Sequence, residues 1–126
     1  MEKEMKKYEF DEPIVVDADE AKREADYGAE VYVHEFKKPF EWEGKTYASL
    51  TFNFGKLTGA DSLKIEGELK AMGWITVVPA LDPQYKIRVA ARACTERLGT
   101  DAFEAMPLGD FNRIMGRVQG FFMASE

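Results

Sequence analysis

The chain has 126 residues, 45% of them hydrophobic, and a net charge of -6, and this length predicts one domain rather than two. Residues 1–30 carry 11 acidic and 5 basic side chains, whereas residues 31–126 carry 12 of each, so the excess negative charge is confined to the start of the chain. Because phosphate binding needs clustered, uncompensated Lys and Arg, these figures argue against a nucleic-acid partner.

The sequence also lacks the features of secreted and membrane proteins. Its one cysteine, Cys94, permits no intramolecular disulfide, as expected in a reducing compartment. No stretch has the continuous apolar segment of a secretory signal or the roughly 20 apolar residues of a membrane-spanning helix. We therefore expect a soluble, cytoplasmic protein with no membrane partner.

Residues 1–30 form the first segment of the chain. Charged clusters alternate there with isolated apolar residues, and residues 14–16 (Ile-Val-Val) are its one apolar patch. Such a segment buries too little surface to offset the entropy lost on ordering. We predict a flexible acidic leader over residues 1–30, followed by a folded domain over residues 31–126.

From residue 31 the hydrophobic pattern acquires a period of two, which is typical of β-strands. Residues 43–45 (Glu-Gly-Lys) separate two such runs and predict a hairpin turn, since glycine supplies a positive φ. Pro39 cannot donate to a strand ladder, which predicts that the first strand lies at a sheet edge. The face with Leu50, Phe52 and Phe54 must pack on helices, because an isolated hairpin is only marginally stable.

Three helices are predicted after the hairpin. Thr58 and Asp61 have the spacing of a capping box at the start of the first helix. Asp82, followed by proline, starts the second helix, which is predicted to run to Gly99. Residues 100–106 form one helical turn, and Pro107 opens the third helix. A hairpin packed on about three helices defines a small, single α+β domain.

Few residues of the sequence suggest catalysis, metal binding or cofactor binding. His34, the sole histidine, is interpreted as a surface or half-buried imidazole, because metal sites and catalytic bases need several convergent groups. Cys94 lies on the apolar stripe of the second helix, where a reduced cysteine acts as a small hydrophobe. No glycine spacing matches a phosphate-binding loop. We therefore expect no catalytic, cofactor-binding or metal-binding residue, and a protein that is not an enzyme.

Two pairs of arginines share a helix face, Arg88 with Arg92 and Arg113 with Arg117. Each pair would suit an anionic partner, but acidic residues stand nearby. Arg92 has Glu96 four residues on, Lys86 has Asp82 four residues back, and Arg113 has Asp110 three residues back. The sequence therefore favours solvated helix faces with mutually compensating charges.

Gly116 and Gly120 stand one turn apart in the third helix, where each costs about 1 kcal/mol relative to alanine. Such a pair indicates that something approaches this face closely. We favour a neighbouring helix of the same domain, with a partner helix as the alternative.

The chain has two apolar clusters, residues 74–78 and residues 121–123. They contain more apolar side chains than the core of a domain of this length requires. Consecutive apolar residues on a helix cannot all face one core, and exposed aromatic and Met side chains are common at protein-binding surfaces. Alternatively, the last helix is wedged between the hairpin and another helix and buries both sides. The candidate partner-binding residues are Trp74, Val77, Phe121, Phe122 and Met123.

From residue 38 onward the order of these features resembles the E-protein-like family of phage tail assembly chaperones. Residues 38–52 (Lys-Pro-Phe-Glu-Trp-Glu-Gly-Lys-Thr-Tyr-Ala-Ser-Leu-Thr-Phe) resemble the family's proline, short strand, acidic-glycine turn, tyrosine and second strand. Residues 57–61 match its threonine-to-aspartate entry into the first helix. Three later segments, residues 90–94, 106–111 and 118–122, follow its closing pattern. The acidic leader is longer and the connector at residues 74–79 is more apolar than is usual in the family.

The resemblance implies a non-catalytic chaperone of phage or prophage tail assembly. Such a protein binds the tape measure protein and keeps it soluble while the tail tube assembles, and a frameshifted longer form recruits the major tail tube protein. It acts in the host cytoplasm and is absent from the mature virion, and its self-association is left open. The acidic leader would serve as a solubilising segment. The alternative is a structural tail protein, a connector or completion subunit, that is retained in the virion.

Overall fold

A computed structural model of the chain describes residues 30–124, so all of the predicted leader except Glu30 lies outside the described residues. The elements within them are the strands β1 (Val31–Trp42) and β2 (Lys45–Asn53) and the helices α1 (Gly59–Ala71), α2 (Pro83–Ala93), α3 (Thr100–Ala105) and α4 (Leu108–Ala124). Short 3₁₀ turns occupy Phe54–Lys56 and Pro79–Leu81. The predicted α+β class, a hairpin with about three helices, is confirmed, and the single turn expected at residues 100–106 is the short helix α3.

The hairpin closes through a two-residue turn at Glu43 and Gly44, as predicted. Both residues have positive φ, 50° and 80°, as a type I′ turn requires. Trp42 pairs with Lys45 on either side of the turn. This turn matches the natural twist of the two strands and therefore sets their register.

An irregularity in β1 changes which residues of β2 face the core. Glu35 pairs with Ser49 and Phe40 pairs with Tyr47, so four residues of β1 stand opposite one residue of β2. Pro39, which has no N–H to donate, falls within this irregularity. Tyr47, which follows the irregularity in the pairing, packs against the core, whereas Ala48 is exposed.

The outer edge of β2 is covered by the residues that follow α2. The backbone N–H of Thr95 donates to the carbonyl of Thr51 at 2.8 Å, and Cys94 forms a bridge with Phe52. The prediction that the second helix runs to Gly99 is therefore wrong. The chain leaves the helix after Ala93 because its backbone pairs with the strand edge. In this two-stranded sheet β1 is also an edge strand, as Pro39 predicted.

Both predicted helix caps are confirmed. The Thr58 backbone N–H donates to Oδ2 of Asp61 at 2.8 Å, within the capping box that begins α1. Oδ1 of Asp82 accepts the N–H of Gln84 at 2.9 Å and that of Tyr85 at 3.4 Å. These bonds satisfy amide groups that the first turn of a helix leaves without intrahelical acceptors.

Helix α2 occupies the middle of the fold and packs against α1, α3, α4 and β2. The apolar core lies between these helices and the inner face of the hairpin. Its largest fully buried apolar side chains are Phe52, Phe54, Phe103, Leu50, Ile65, Leu69, Ile114 and Val118. The packing of the hairpin on helices, expected from its marginal stability alone, is confirmed.

The close approach predicted at the glycines of α4 stays a prediction. A Cβ built on Gly116 meets no atom within 4 Å in the part of the chain that the structure describes. Gly120 is buried.

Candidate partner-binding surface

The segment between α1 and α2 leaves the helix through a glycine turn. Gly73 has a φ of 79°, and the N–H of Trp74 donates to the carbonyl of Leu69 at 2.8 Å while that of Gly73 donates to Lys70 at 2.9 Å. This is the bonding pattern of a Schellman motif, which ends a helix and redirects the chain. The segment that follows runs along the surface as far as the 3₁₀ turn at Pro79–Leu81.

This segment presents a group of exposed apolar side chains, here called the connector patch. Its members are Met72, Trp74, Ile75, Val77, Val78 and Leu81. Ile75 and Val77 are each 84% exposed, and no charged residue occurs anywhere in residues 72–81. The largest group of exposed apolar side chains on a monomer is often a functional surface, so this segment is a candidate interaction site.

Trp74 is held in place by a hydrogen bond. Its indole Nε1–H donates to Oδ2 of Asp82 at 2.9 Å, and the other oxygen of that carboxylate caps α2. Burial alone would raise the pKa of Asp82, but the hydrogen bonds from Trp74 and from the Gln84 backbone N–H outweigh it and lower the pKa. The carboxylate is therefore charged at neutral pH and fixes the ring, 42% exposed, against the start of α2.

The predicted cluster at the end of α4 divides between core and surface. Phe121 stacks on Phe54 with ring centroids 5.3 Å apart, and Phe122 packs on Tyr85 at 5.9 Å. The end of α4 is thus wedged between the residues after the hairpin and α2, which is the alternative interpretation of this sequence. Met123 is 58% exposed.

The end of α4 lies beside the connector. Helix α4 packs against the 3₁₀ turn at Pro79–Leu81, and Nζ of Lys86 in α2 donates to Oε1 of Gln119 at 3.1 Å. Of the predicted partner-binding residues, Trp74, Val77 and Met123 are therefore surface residues, whereas Phe121 and Phe122 belong mainly to the core.

Two members of the connector patch, Met72 and Leu81, lie outside the apolar cluster predicted at residues 74–78, and two others, Ile75 and Val78, lie within it but were not among the candidate binding residues. Their exposure has no periodic signal, because the segment is neither a helix nor a strand. The absence of charge over residues 72–81, between a helix-ending glycine and an N-cap aspartate, was the available indication.

A second feature of the structure is a buried polar cluster. His34 is 0% exposed, so the prediction of a surface or half-buried imidazole is wrong. Its Nε2 lies 2.8 Å from Oδ1 of Asp110, and its Nδ1 lies 2.8 Å from the hydroxyl of Tyr32. The carboxylate only accepts, so Nε2–H donates to Asp110 and Nδ1 accepts the Tyr32 O–H. Both ring nitrogens of a neutral imidazole are thereby satisfied.

Electrostatics favour the neutral form of this imidazole. Burial lowers the pKa of His34, and the hydrogen bond that its Nε2–H donates to Asp110 opposes that effect without cancelling it. Two cations lie nearby: Arg113 donates to Oδ1 of Asp110 at 2.8 Å, and the Arg117 guanidinium lies 4.7 Å from the centre of the Tyr32 ring. A protonated His34 would add a third positive charge to this cluster.

Of the three charge pairs predicted on the helices, one is confirmed, and the side chain of Lys86 contacts Gln119 instead of Asp82. Arg113 pairs with Asp110 as expected. Arg92 pairs instead with Asp61 of α1, Nε to Oδ1, at 2.8 Å. Glu96, its predicted partner, accepts the backbone N–H of Thr51 at 3.0 Å, because the chain turns toward the strand after Ala93.

Within the polar cluster, His34 and Asp110 are buried, and the hydrogen bond between them joins β1 to α4. Across residues 30–124, no group of three or more His, Cys, Asp or Glu side chains is placed to hold a metal ion. No helix in that range is long and apolar enough to cross a membrane. The exposed feature with the character of a binding site is the connector patch.

In comparisons with known proteins, no family model matches the chain, and neither a curated protein nor a solved structure matches it significantly.

Proposed function

We propose that this chain is a phage or prophage tail assembly chaperone, which binds the tape measure protein through the connector patch and keeps it soluble during tail tube assembly. The observation that carries the proposal is the patch itself, an uncharged and exposed apolar surface on a small α+β domain. The order of sequence features from residue 38 onward supports the same function. The proposal involves no catalytic step and no cofactor.

The patch suits a client with apolar helical stripes. Ile75 and Val77 project into solvent, and Trp74 offers a broad ring whose orientation is already fixed by Asp82. A side chain that is ordered before binding loses less entropy on contact. Apolar helix faces that would otherwise associate with one another are covered when they dock on such a surface.

The same proposal includes the cellular setting. The chaperone acts in the host cytoplasm and is not retained in the virion, and a frameshifted longer form recruits the major tail tube protein. A gene order in which this reading frame lies between a tail tube gene and a very long tape measure gene would support it.

Co-expression with the tape measure protein tests the binding surface. We expect the wild-type chain to co-purify with it and the double variant Ile75→Glu/Val77→Glu to lose it, because two carboxylates would have to be buried in the contact. Leu108→Glu is the matched control, since Leu108 is also an exposed apolar residue but lies outside the patch. Retention of the client by the double variant contradicts the assignment of the surface.

Met123→Ser extends the test to the end of α4, where we expect a smaller loss of client. Phe121→Ser is unsuitable because Phe121 stacks on Phe54 and its loss would destabilise the fold. Mass spectrometry of purified virions tests the other part of the proposal. A protein present there in stoichiometric amount would be a structural tail protein and not a chaperone.

A further inference from the structure

The exposed apolar area of the connector patch is about three-quarters of the apolar area that each partner buries in a homodimer interface of standard size. Ile75 and Val77 are 84% exposed and Met72 and Leu81 are 62% exposed, with smaller contributions from Trp74 and Val78. Together the six side chains expose roughly 400 Å² of apolar surface, at about 60–120 Å² for each complete side chain. A standard interface buries about 800 Å² per partner, of which about 65% is apolar in homodimers.

The charge pattern also suits contact of the patch with itself. In a two-fold contact the same surface meets its own copy, so a charge near the axis faces a like charge. Residues 72–81 contain no charged side chain. The carboxylate nearest the patch, Asp82, is already engaged by the Trp74 indole and by the first amides of α2. Residues 72–81 therefore place no like charges opposite one another. At the edge of the patch, Nη2 of Arg88 lies 3.3 Å from Sδ of Met72, and the charge of Arg88 is paired with Glu68 at 3.7 Å.

We infer that, in the absence of a client, the connector patch is covered by the same patch of a second copy of this chain in a two-fold symmetric dimer. The inference concerns the chain alone and does not rest on the proposed client. A client that uses the patch would compete with the second copy, so client binding would dissociate the dimer.

Sedimentation equilibrium of the purified full chain tests the inference. We expect a monomer–dimer equilibrium whose dissociation constant rises at least about 100-fold in the double variant Ile75→Glu/Val77→Glu, as for loss of two central contacts. Leu108→Glu should dimerise like the wild type. Circular dichroism verifies that each variant is folded, as expected when the changed side chains are largely exposed. A wild-type chain that stays monomeric at all concentrations, or a double variant that still dimerises, overturns the inference.

Variants with opposite charges at position 75 test the two-fold symmetry of the inferred dimer. Chains with Ile75→Glu and chains with Ile75→Lys should each be monomeric, because each would place like charges in the contact. An equimolar mixture of the two should form dimers. A mixture that remains monomeric, or wild-type association that continues beyond dimers into longer assemblies, rules out the closed two-fold contact.

Discussion

His34 in β1 and Asp110 in the first turn of α4 are joined by a hydrogen bond of 2.8 Å, although 76 positions separate them in the chain. The bond attaches the hairpin to the last helix inside the core. Since the Tyr32 hydroxyl satisfies the other ring nitrogen, the imidazole is buried without an unpaired polar atom. Removing one member of this cluster should therefore lower the free energy of unfolding by more than removing an exposed polar residue does.

Asp110→Ala leaves the Nε2–H of His34 buried without its acceptor. We expect the free energy of unfolding to fall by about 1–3 kcal/mol, the usual cost of an unsatisfied buried donor. Urea denaturation measures this change. The matched control is Arg113→Ala, which removes the more exposed partner of the same carboxylate and should cost less than about 1 kcal/mol. Equal losses in the two variants would contradict a buried, structural role for the bond between His34 and Asp110.

The same cluster predicts a pH dependence. Burial lowers the pKa of His34 in the folded chain below its ordinary value of 6.5, so the unfolded chain binds this proton more readily. Stability should be complete above pH 6.5 and fall as the pH decreases from there toward the folded pKa. Asp61 and Asp82 have lowered pKa values, so their contributions are lost only below about pH 4.

Urea unfolding of the wild type and of His34→Gln between pH 5 and pH 8 measures this dependence. Glutamine keeps an N–H for Asp110 but does not titrate. The wild type should lose stability relative to the variant as the pH falls below 6.5. Parallel curves for the two proteins would show that His34 is not the titrating group.

Asp82 links a helix cap to the connector patch. Asp82→Ala removes both the cap of α2 and the acceptor of the Trp74 indole, and we expect a loss of about 0.5–2 kcal/mol. The environment of Trp74 should also become more polar, which its fluorescence reports. Asp82→Ser separates the two roles, because serine caps a helix but is too short to reach the indole. Asp82→Ser should recover most of the free energy of unfolding lost in Asp82→Ala, but its Trp74 fluorescence should remain that of the alanine variant. If Asp82→Ser is as unstable as Asp82→Ala, the capping role and the indole-binding role of Asp82 are not separate.

Gly67 lies inside α1, and a Cβ built there meets no atom within 4 Å. Gly67→Ala should raise stability by about 1 kcal/mol through helix propensity, which corresponds to about 4–8 °C in Tm for a domain of this size. Gly73→Ala is the contrasting variant, since the φ of 79° strains any residue with a Cβ. In thermal denaturation, the Tm should rise in Gly67→Ala and fall in Gly73→Ala. A lower Tm for Gly67→Ala would contradict the finding that a Cβ at position 67 meets no neighbouring atom.

The sequence predicted those features that local interactions determine. The caps at Thr58 and Asp82 and the turn at residues 43–44 depend on neighbours within three positions, so their residue types are sufficient. The end of α2 was not predicted, because Cys94 and Thr95 pair with a strand about 40 residues earlier. A helical stripe gives no indication of such competition.

The candidate site shows the same limit. Trp74 and Val77 were identified because an apolar run between two helices exceeds what a core needs. The core position of Phe121 was not resolved, because the ring that it meets, Phe54, follows a strand 67 positions earlier in the numbering. The polar cluster around His34 was missed for the same reason, since its acceptor lies on a distant helix.

The most direct test of the proposed function is the amount of tape measure protein that stays in solution with and without this chain. After co-expression and high-speed centrifugation of the lysate, the wild type and Leu108→Glu should hold the tape measure protein in the supernatant. The double variant Ile75→Glu/Val77→Glu, although folded, should leave it in the pellet. A tape measure protein that is equally soluble with the double variant, or equally insoluble with the wild type, would contradict the claim that the connector patch is a chaperone surface.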